Sequence, residues 1–377
     1  MHLTSQLPAE SPARDETLLR GCFRILFLYD VAEAFDMNKL RGCLGPNAEP
    51  VKQVFPRRTP EYIRFEQVPI IEPAQPITLA TGDHVLCSVK YYAFAVAVVQ
   101  FDVPFECDWN SLLTQSSRWT DPVDIEPHAR ELLRQHLDRV APAVVRPTTE
   151  WLHEDYLVIN LENIASDGSP MPASRLLSSH AHQIAQLLRG ELTSLSPRLS
   201  EDLLEASLSY YETDLVVIGS SAALVYDRSE DAAATSLVLE YAKMQLLEFR
   251  YYDGLMTQLL SDVYDALERK RNILISRWSI PRDAKRFNTI RLDVMELTER
   301  IDNAIKFVSD VYYARLYRLA STRMGVPEYR NLLDEKLRTV GELYDFMVDQ
   351  FNEARSFVVE VAIAVLCLLD AIFWLKK

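Results

Sequence analysis

Glycine and proline almost vanish from the sequence after Ser229, and apolar residues spaced by threes and fours take over. Phe249, Tyr252, Met256, Leu259, Val263 and Ala266 form the first such pattern; Ile290, Val294, Leu297, Ile301, Ala304, Val308 and Val311 form the second. The third runs through Leu333, Leu337, Val340, Tyr344, Met347, Phe351, Ala354 and Val358. Sustained spacing of this kind makes a seam along which helices wind left-handedly about each other. Pro281 and the stretch Gly325 to Pro327 supply the breaks. The pattern therefore predicts three helices running up, down and up, an antiparallel coiled-coil-like stalk over residues 229–356.

The third helix continues into FVVEVAIAVLCLLDAIFWL, Phe357 to Leu375. Nineteen helical residues rise about 28 Å, against a hydrocarbon core of roughly 30 Å. Glu360 and Asp370 weigh against insertion; the flanking Lys376 and Lys377 and the interfacial position of Trp374 weigh for it. Residues 357–377 are thus expected to be an apolar transmembrane anchor held by Phe357, Val361, Val365, Leu368, Ile372 and Trp374, and the alternative is a helix buried in a soluble oligomeric bundle. A basic run, with Lys270, Arg271, Lys285 and Arg286 at its centre, crosses the turn between the first two helices. Beside an inserted tail it would meet anionic headgroups at about 1 kcal/mol per basic residue.

Before Ser229 the texture is different. Residues 1–20 carry no apolar run and no Arg-rich, acid-poor leader, so they are expected to be a disordered N-terminus with no signal or transit peptide. Residues 21–228 alternate short apolar runs with helical spacing, the pattern of an α+β head. CFRILFLY from Cys22 suits a buried strand, after which Asp30 to Leu40 turns to helical spacing. Val85 to Val103 reads as one strand with Tyr92, Phe94, Val96 and Val98 on one face and Ala93, Ala95 and Ala97 on the other. YLVINL, Tyr156 to Leu161, is a further strand; Leu215 to Ile218 and Ala222 to Tyr226 around Gly219-Ser220-Ser221 read as a hairpin. Helices are expected at Pro127 to Val140 and at Ser174 to Arg189, with Gly190 as the stop.

Chemistry is scarce. Only 10 of 377 residues are glycine, which makes a Gly-rich phosphate cradle improbable, and a net charge of −14 sets the surface against a phosphate backbone. Direct binding of nucleic acid is not expected. Five dispersed cysteines without a CxxC pair suit reduced thiols. His180 and His182, two apart on a helix, face away from each other, and His84 with Cys87 is half of a zinc site at most. Gly219-Ser220-Ser221 lacks the second glycine of a nucleophile elbow. No residue is assigned to catalysis, to a cofactor or to a metal.

LVLEYAKMQLLEFRYYDGLM (Leu237 to Met256), ERIDNAIKFVSDVYYARLYRLA (Glu299 to Ala320), YYETDLVVIGSSAALVYD and the apolar C-terminal helix resemble the Required for Meiotic nuclear Division (RMD-like) family, a domain of unknown function. The resemblance covers Ser178 to Lys377 well and the first part loosely. It implies a membrane-associated, tethering role without catalytic residues, since eukaryotic members are linked to mitochondria; without a transit peptide, the chain is more similar to a prokaryotic-type member. The sequence thus points to a non-enzymatic scaffold or adaptor, oligomeric through its stalk and held at the cytoplasmic face of a membrane, with an enzyme whose site lies in the head as the alternative. Magnesium-channel architecture is excluded by a single apolar segment and by Val326-Pro327 after Gly325, where a Gly-Met-Asn signature belongs.

Overall fold

The run Cys22 to Tyr29 lies at the centre of the main sheet, inside a strand more than twice its length. The computed structural model describes residues 18–45, 49–50, 69–79, 82–162, 164–166, 169–268, 289–290, 292 and 311–375. In chain order these hold β1 (Leu19–Phe35), α1 (Met37–Leu44), β2 (Glu49–Pro50), β3 (Ile70–Thr78), β4 (His84–Tyr91), β5 (Val96–Cys107), α2 (Trp109–Thr120), α3 (Glu126–Arg139) and β6 (Val144–Leu161). There follow the short strands β7 (Ala165–Ser166) and β8 (Ser169–Pro170), then α4 (Ala173–Arg189), α5 (Pro197–Glu205), β9 (Ser207–Leu208), β10 (Leu215–Ile218), β11 (Ala222–Tyr226) and α6 (Ser229–Glu268). Two further helices, which we label α7 (Val311–Arg323) and α8 (Val326–Leu375), complete the described elements.

Among the described residues the main sheet has nine strands in the order β2-β3-β4-β5-β1-β6-β11-β10-β9. Every neighbouring pair is antiparallel except β6 with β11. Strand side chains alternate between faces, and in β1 both sets are buried. Phe23, Ile25, Phe27 and Tyr29 join a continuous apolar cluster with Leu112 and Trp119 of α2, Leu133 of α3 and Leu176, Ile184 and Leu187 of α4. Leu26 and Leu28 on the opposite face are equally buried outside that cluster. At Gly21 an added Cβ would stand 2.0 Å from the carbonyl oxygen of Asn160, so only glycine lets β6 approach there.

Local chemistry explains the helix ends. Asp108 accepts from the Ser111 amide at the start of α2, and Ser196 caps α5 at the Leu199 amide. Gly190 adopts φ +65° as the stop of α4, and the Gly219-Ser220-Ser221 hairpin forms, closed by the Gly219 amide on the Ala222 carbonyl.

Four expectations are corrected. Val85 to Val103 is two strands: β4 and β5 pair antiparallel around Tyr92 to Ala95. The Tyr92 amide donates to the Val96 carbonyl and the Ala95 amide to the Tyr92 carbonyl, with Ala95 in the left-handed region at φ +68°. Asp30 to Phe35 stays extended, because pairing with β6 continues past a bulge between Asp30 and Ala32, and the helix starts only at Met37.

The three-helix stalk is not present as a separate body. Two compact units divide the chain, Met1–Met244 with Phe307–Met324 and Gln245–Lys306 with Gly325–Lys377. The sheet-bearing unit therefore takes the first part of α6 together with α7. Apolar spacing marks a buried helix but is blind to whether a helix or a sheet buries it. In the second unit, α6 and α8 lie side by side in the same direction: Lys336 reaches Asp253 at 2.5 Å and Thr257 at 2.7 Å, and Arg250 lies over Tyr329. Leu333 and Val340 are buried there, as are Met256 and Leu259. The seam positions Ile301 and Val308 lie outside the described residues.

The transmembrane anchor is likewise corrected, since among the described residues no helix is long and apolar enough to cross a membrane. Phe357 to Leu375 is the last part of α8, a single helix that begins at Val326 and is charged over its earlier turns, and Glu360 and Asp370 interrupt the apolar run.

Candidate functional site

Antiparallel pairing sets residues of different strands in rows across a sheet, and one row here carries charge into the interior. Lys90 pairs in register with Val98, Val98 with Leu28, and Leu28 with Glu154. With strands about 4.8 Å apart, Lys90 on β4 and Glu154 on β6 stand roughly 14 Å from each other on one face, with two aliphatic residues between them. Helix α6 supplies the counter-charges. Lys90 Nζ lies 2.5 Å from Glu240 Oε2, and Lys243 Nζ lies 2.7 Å from Glu154 Oε2. The two α6 residues are three apart, hence neighbours on one helical face. All four side chains are between 1% and 9% exposed.

The surroundings complete these pairs. Tyr92 Oη donates to Glu240 Oε1 at 2.6 Å, so both oxygens of that carboxylate are engaged. Burial first, then the neighbouring Glu240 charge, pushes the Tyr92 hydroxyl far above its ordinary pKa. Lys243 also lies 5.8 Å from the centre of the Tyr156 ring, whose hydroxyl donates to the Gly219 carbonyl at 3.1 Å. On the same face of β1, one step beyond the row, Asp30 is raised to about 7 by burial. Asp155 is also raised by burial, against the pull of Lys243 and His153. A nearer-surface pair, Arg24 with Asp102 at 2.9 Å, closes the opposite end of the face, and Gln100 donates to the same carboxylate.

A second constellation sits on the apolar side. Glu72 of β3 accepts from His136 Nδ1 at 2.8 Å and from the Tyr91 hydroxyl at 3.3 Å with one oxygen, and from Arg139 at 2.7 Å with the other. Burial alone would raise the Glu72 pKa; the hydrogen bond and charge of His136, joined by those of Arg139, outweigh it and hold the carboxyl below its ordinary value. Chemically this is a carboxylate held between an imidazole and a guanidinium, and it ties α3 to β3 and β4.

The residues singled out in the sequence fall elsewhere. His180, at a kink in α4, stacks on Trp109 with ring centres 4.3 Å apart, while His182 is exposed. His84 is exposed with Nδ1 3.2 Å from the Thr78 hydroxyl, whereas Cys87 is buried. Among the described residues no three His, Cys, Asp or Glu side chains gather as a metal site. Val365 is 51% exposed; the side chains of Phe357, Val361, Leu368, Ile372 and Trp374 lie outside the described residues. So do Lys270, Arg271, Lys285 and Arg286. The ion-pair row escaped sequence reasoning because its members are far apart in the chain, although a lone charge inside an apolar run, as in CSVKYYAF or LVLEYAKMQLL, is the signal that would have found it.

Comparison with known proteins bears on the sheet-bearing part. The chain is 22% identical over 194 residues to "Uncharacterized protein MJ0711" of Methanocaldococcus jannaschii, a match covering 52% of this chain and 59% of that relative. The aligned part thus spans less than two thirds of the relative's length. No solved structure matches the chain. A family model described as Uncharacterized protein MJ0711, N-terminal domain, matches residues 20–232, which take in the described strands of the sheet, apart from the first residue of β1, and the region where the RMD-like resemblance is loosest. Since that match covers more than half of its residues, the chain belongs to the family of the MJ0711 N-terminal domain.

Proposed function

We propose that the protein is a non-enzymatic scaffold or adaptor that associates with a second copy of itself through the C-terminal end of α8. The observation that carries this reading is a set of aliphatic side chains left in water on that helix: Ile363 is 55% and Leu366 is 65% exposed, with Val365 between them. Ile363 and Leu366 are three apart and share a face. Contiguous exposed apolar surface on a helix is the usual mark of a protein contact. The buried carboxylates at the sheet's two faces support the non-enzymatic part, because the oxygens of Glu240 on α6 and Glu72 on β3 are engaged by groups of the chain itself. We also place the chain nearer the RMD-like family than its shown membership requires, on the likeness of Leu237 to Met256 and Glu299 to Ala320.

Light scattering behind size exclusion tests the reading. The full chain is expected to run as an oligomer at micromolar concentration, and Ile363→Glu with Leu366→Glu to run as a monomer with an unchanged melting temperature. A wild-type chain that is monomeric at 50-fold higher concentration than the assay requires overturns self-association.

A further inference from the structure

Helix α6 has no hydrophobic direction where it belongs to the sheet-bearing unit. From Ala234 to Met244 every residue except Tyr241 is buried. A helix that is apolar on all sides satisfies burial at any axial offset of about one turn, roughly 5.4 Å. Hydrophobic contact alone therefore leaves the position of α6 along its own axis weakly specified. Yet the helix carries two charges in this segment's interior, Glu240 and Lys243, and both meet their opposites on the sheet.

We propose that the Lys90–Glu240 and Glu154–Lys243 pairs are a register lock that rejects one-turn displacements of α6. The sign alternates along the helix and is reversed along the strand row, and this arrangement makes the lock work in both directions. Sliding the helix so that Lys243 takes the place of Glu240 sets its ammonium group beside that of Lys90 and abandons Glu154 to aliphatic residues. Sliding it the other way sets Glu240 against Glu154 and leaves Lys90 facing the stretch around Ser236 and Leu237. Either displacement keeps the apolar burial and leaves uncompensated charge out of water, which is strongly destabilising. The native pairing itself need add little net stability, since desolvation offsets most of the attraction. Its contribution is discrimination. Tyr92 adds to the lock, because its hydroxyl donates to the Glu240 carboxylate at that point on the helix.

Three variants of the full chain separate this role from plain stabilisation. Inverting only the helix, with Glu240→Lys and Lys243→Glu, sets like charges together in the native register, and amide protection across 234–244 should fall by about 100-fold. Inverting the sheet as well, by adding Lys90→Glu and Glu154→Lys, should restore protection to within about 10-fold of wild type. Replacing all four by apolar residues of similar length, Lys90→Met, Glu154→Leu, Glu240→Leu and Lys243→Met, should hold or raise the melting temperature while splitting the α6 resonances into more than one set. A single sharp set with the wild-type exchange pattern in that apolar variant overturns the lock. So does a fourfold inversion that recovers nothing, and so does an apolar variant that unfolds while the fourfold inversion is intact, which would assign the charges to stability instead.

Discussion

The two faces of the central strands are built from the same residues in alternation, yet they solve different problems. On one face Phe23, Phe27, Phe101 and Phe105 meet as tilted or edge-on ring pairs, and aliphatic residues of α2, α3 and α4 fill the remainder. On the other, Lys90, Glu154 and Asp30 stand among Leu26, Leu28 and Val98, under a helix that brings its own charges. Interlocking rings of unequal shape leave few ways to pack the centre of the first face, and its buried carboxylate, Glu72, stands at the β3 end, where it ties α3 to the sheet. The second face meets the first part of α6, which is buried on nearly every side from Ala234 to Met244 and whose apolar contacts leave its axial position weakly specified. The difference teaches that, at the centre of the sheet, ring shape sets the packing of one face, while the other carries its buried ion pairs beneath the helix that covers it.

Substitutions on the two faces should therefore differ in kind. Phe27→Ala removes a fully buried ring from the apolar face and should cost about 3–5 kcal/mol in chemical denaturation. A loss below about 1 kcal/mol would mean that the rings repack freely, and the contrast between the faces would collapse. Asp30 gives the opposite sign on the charged face. Its carboxyl is raised by burial from the ordinary 3.8 to about 7. Between those values the folded chain holds a proton that the unfolded chain has released, so stability falls as pH rises from about 4 to 7 and stays low above it. Asp30→Asn should flatten that slope and stabilise the protein at pH 8 by up to about 4 kcal/mol, read as a family of denaturation curves against pH. An unchanged slope would place the titration elsewhere on the face. Ala95→Gly probes the smallest balance. Its buried methyl belongs to the apolar cluster, but its φ of +68° strains any residue with a Cβ. The two terms oppose, and the melting curve should move by less than about 1 kcal/mol either way.

These same residues show what was legible in the sequence. CFRILFLY announced a buried strand because Arg24 alone interrupts its apolar run; Gly190 announced a helix stop through a left-handed conformation that other residues avoid, and Gly219 a turn in which an added Cβ would stand 3.0 Å from the Ala222 carbonyl oxygen. The turn at Tyr92 to Ala95 was hidden for the converse reason: it holds no Gly, Asn or Asp, and Ala95 takes the left-handed position under tertiary constraint. The seams in the C-terminal half correctly marked buried positions at Met256, Leu259, Leu333 and Val340. They misassigned the start of α6, because a sheet and a pair of helices demand the same apolar spacing from a helix they both cover. The candidate site was illegible in one dimension. Lys90 and Glu240 stand 150 residues apart, and only the register through β5 and β1 brings Lys90 and Glu154 into one row.

That separation along the chain also governs the order in which the molecule can be assembled. β1 waits for β6 through more than a hundred residues, and the charged face waits longer still for α6. Contacts between such distant segments slow folding, because the entropy of closing long loops is lost before the contacts form. At a synthesis rate of roughly 5–20 residues per second, a growing chain carries Leu26, Leu28 and Val98 uncovered for several seconds before Lys243 has even been made. During that interval Lys90 and Glu154, like Asp30, Arg24 and Asp102 on the same face, can keep their hydration. The charges proposed to set the position of a helix are thus made, and hydrated, well before the helix they would position.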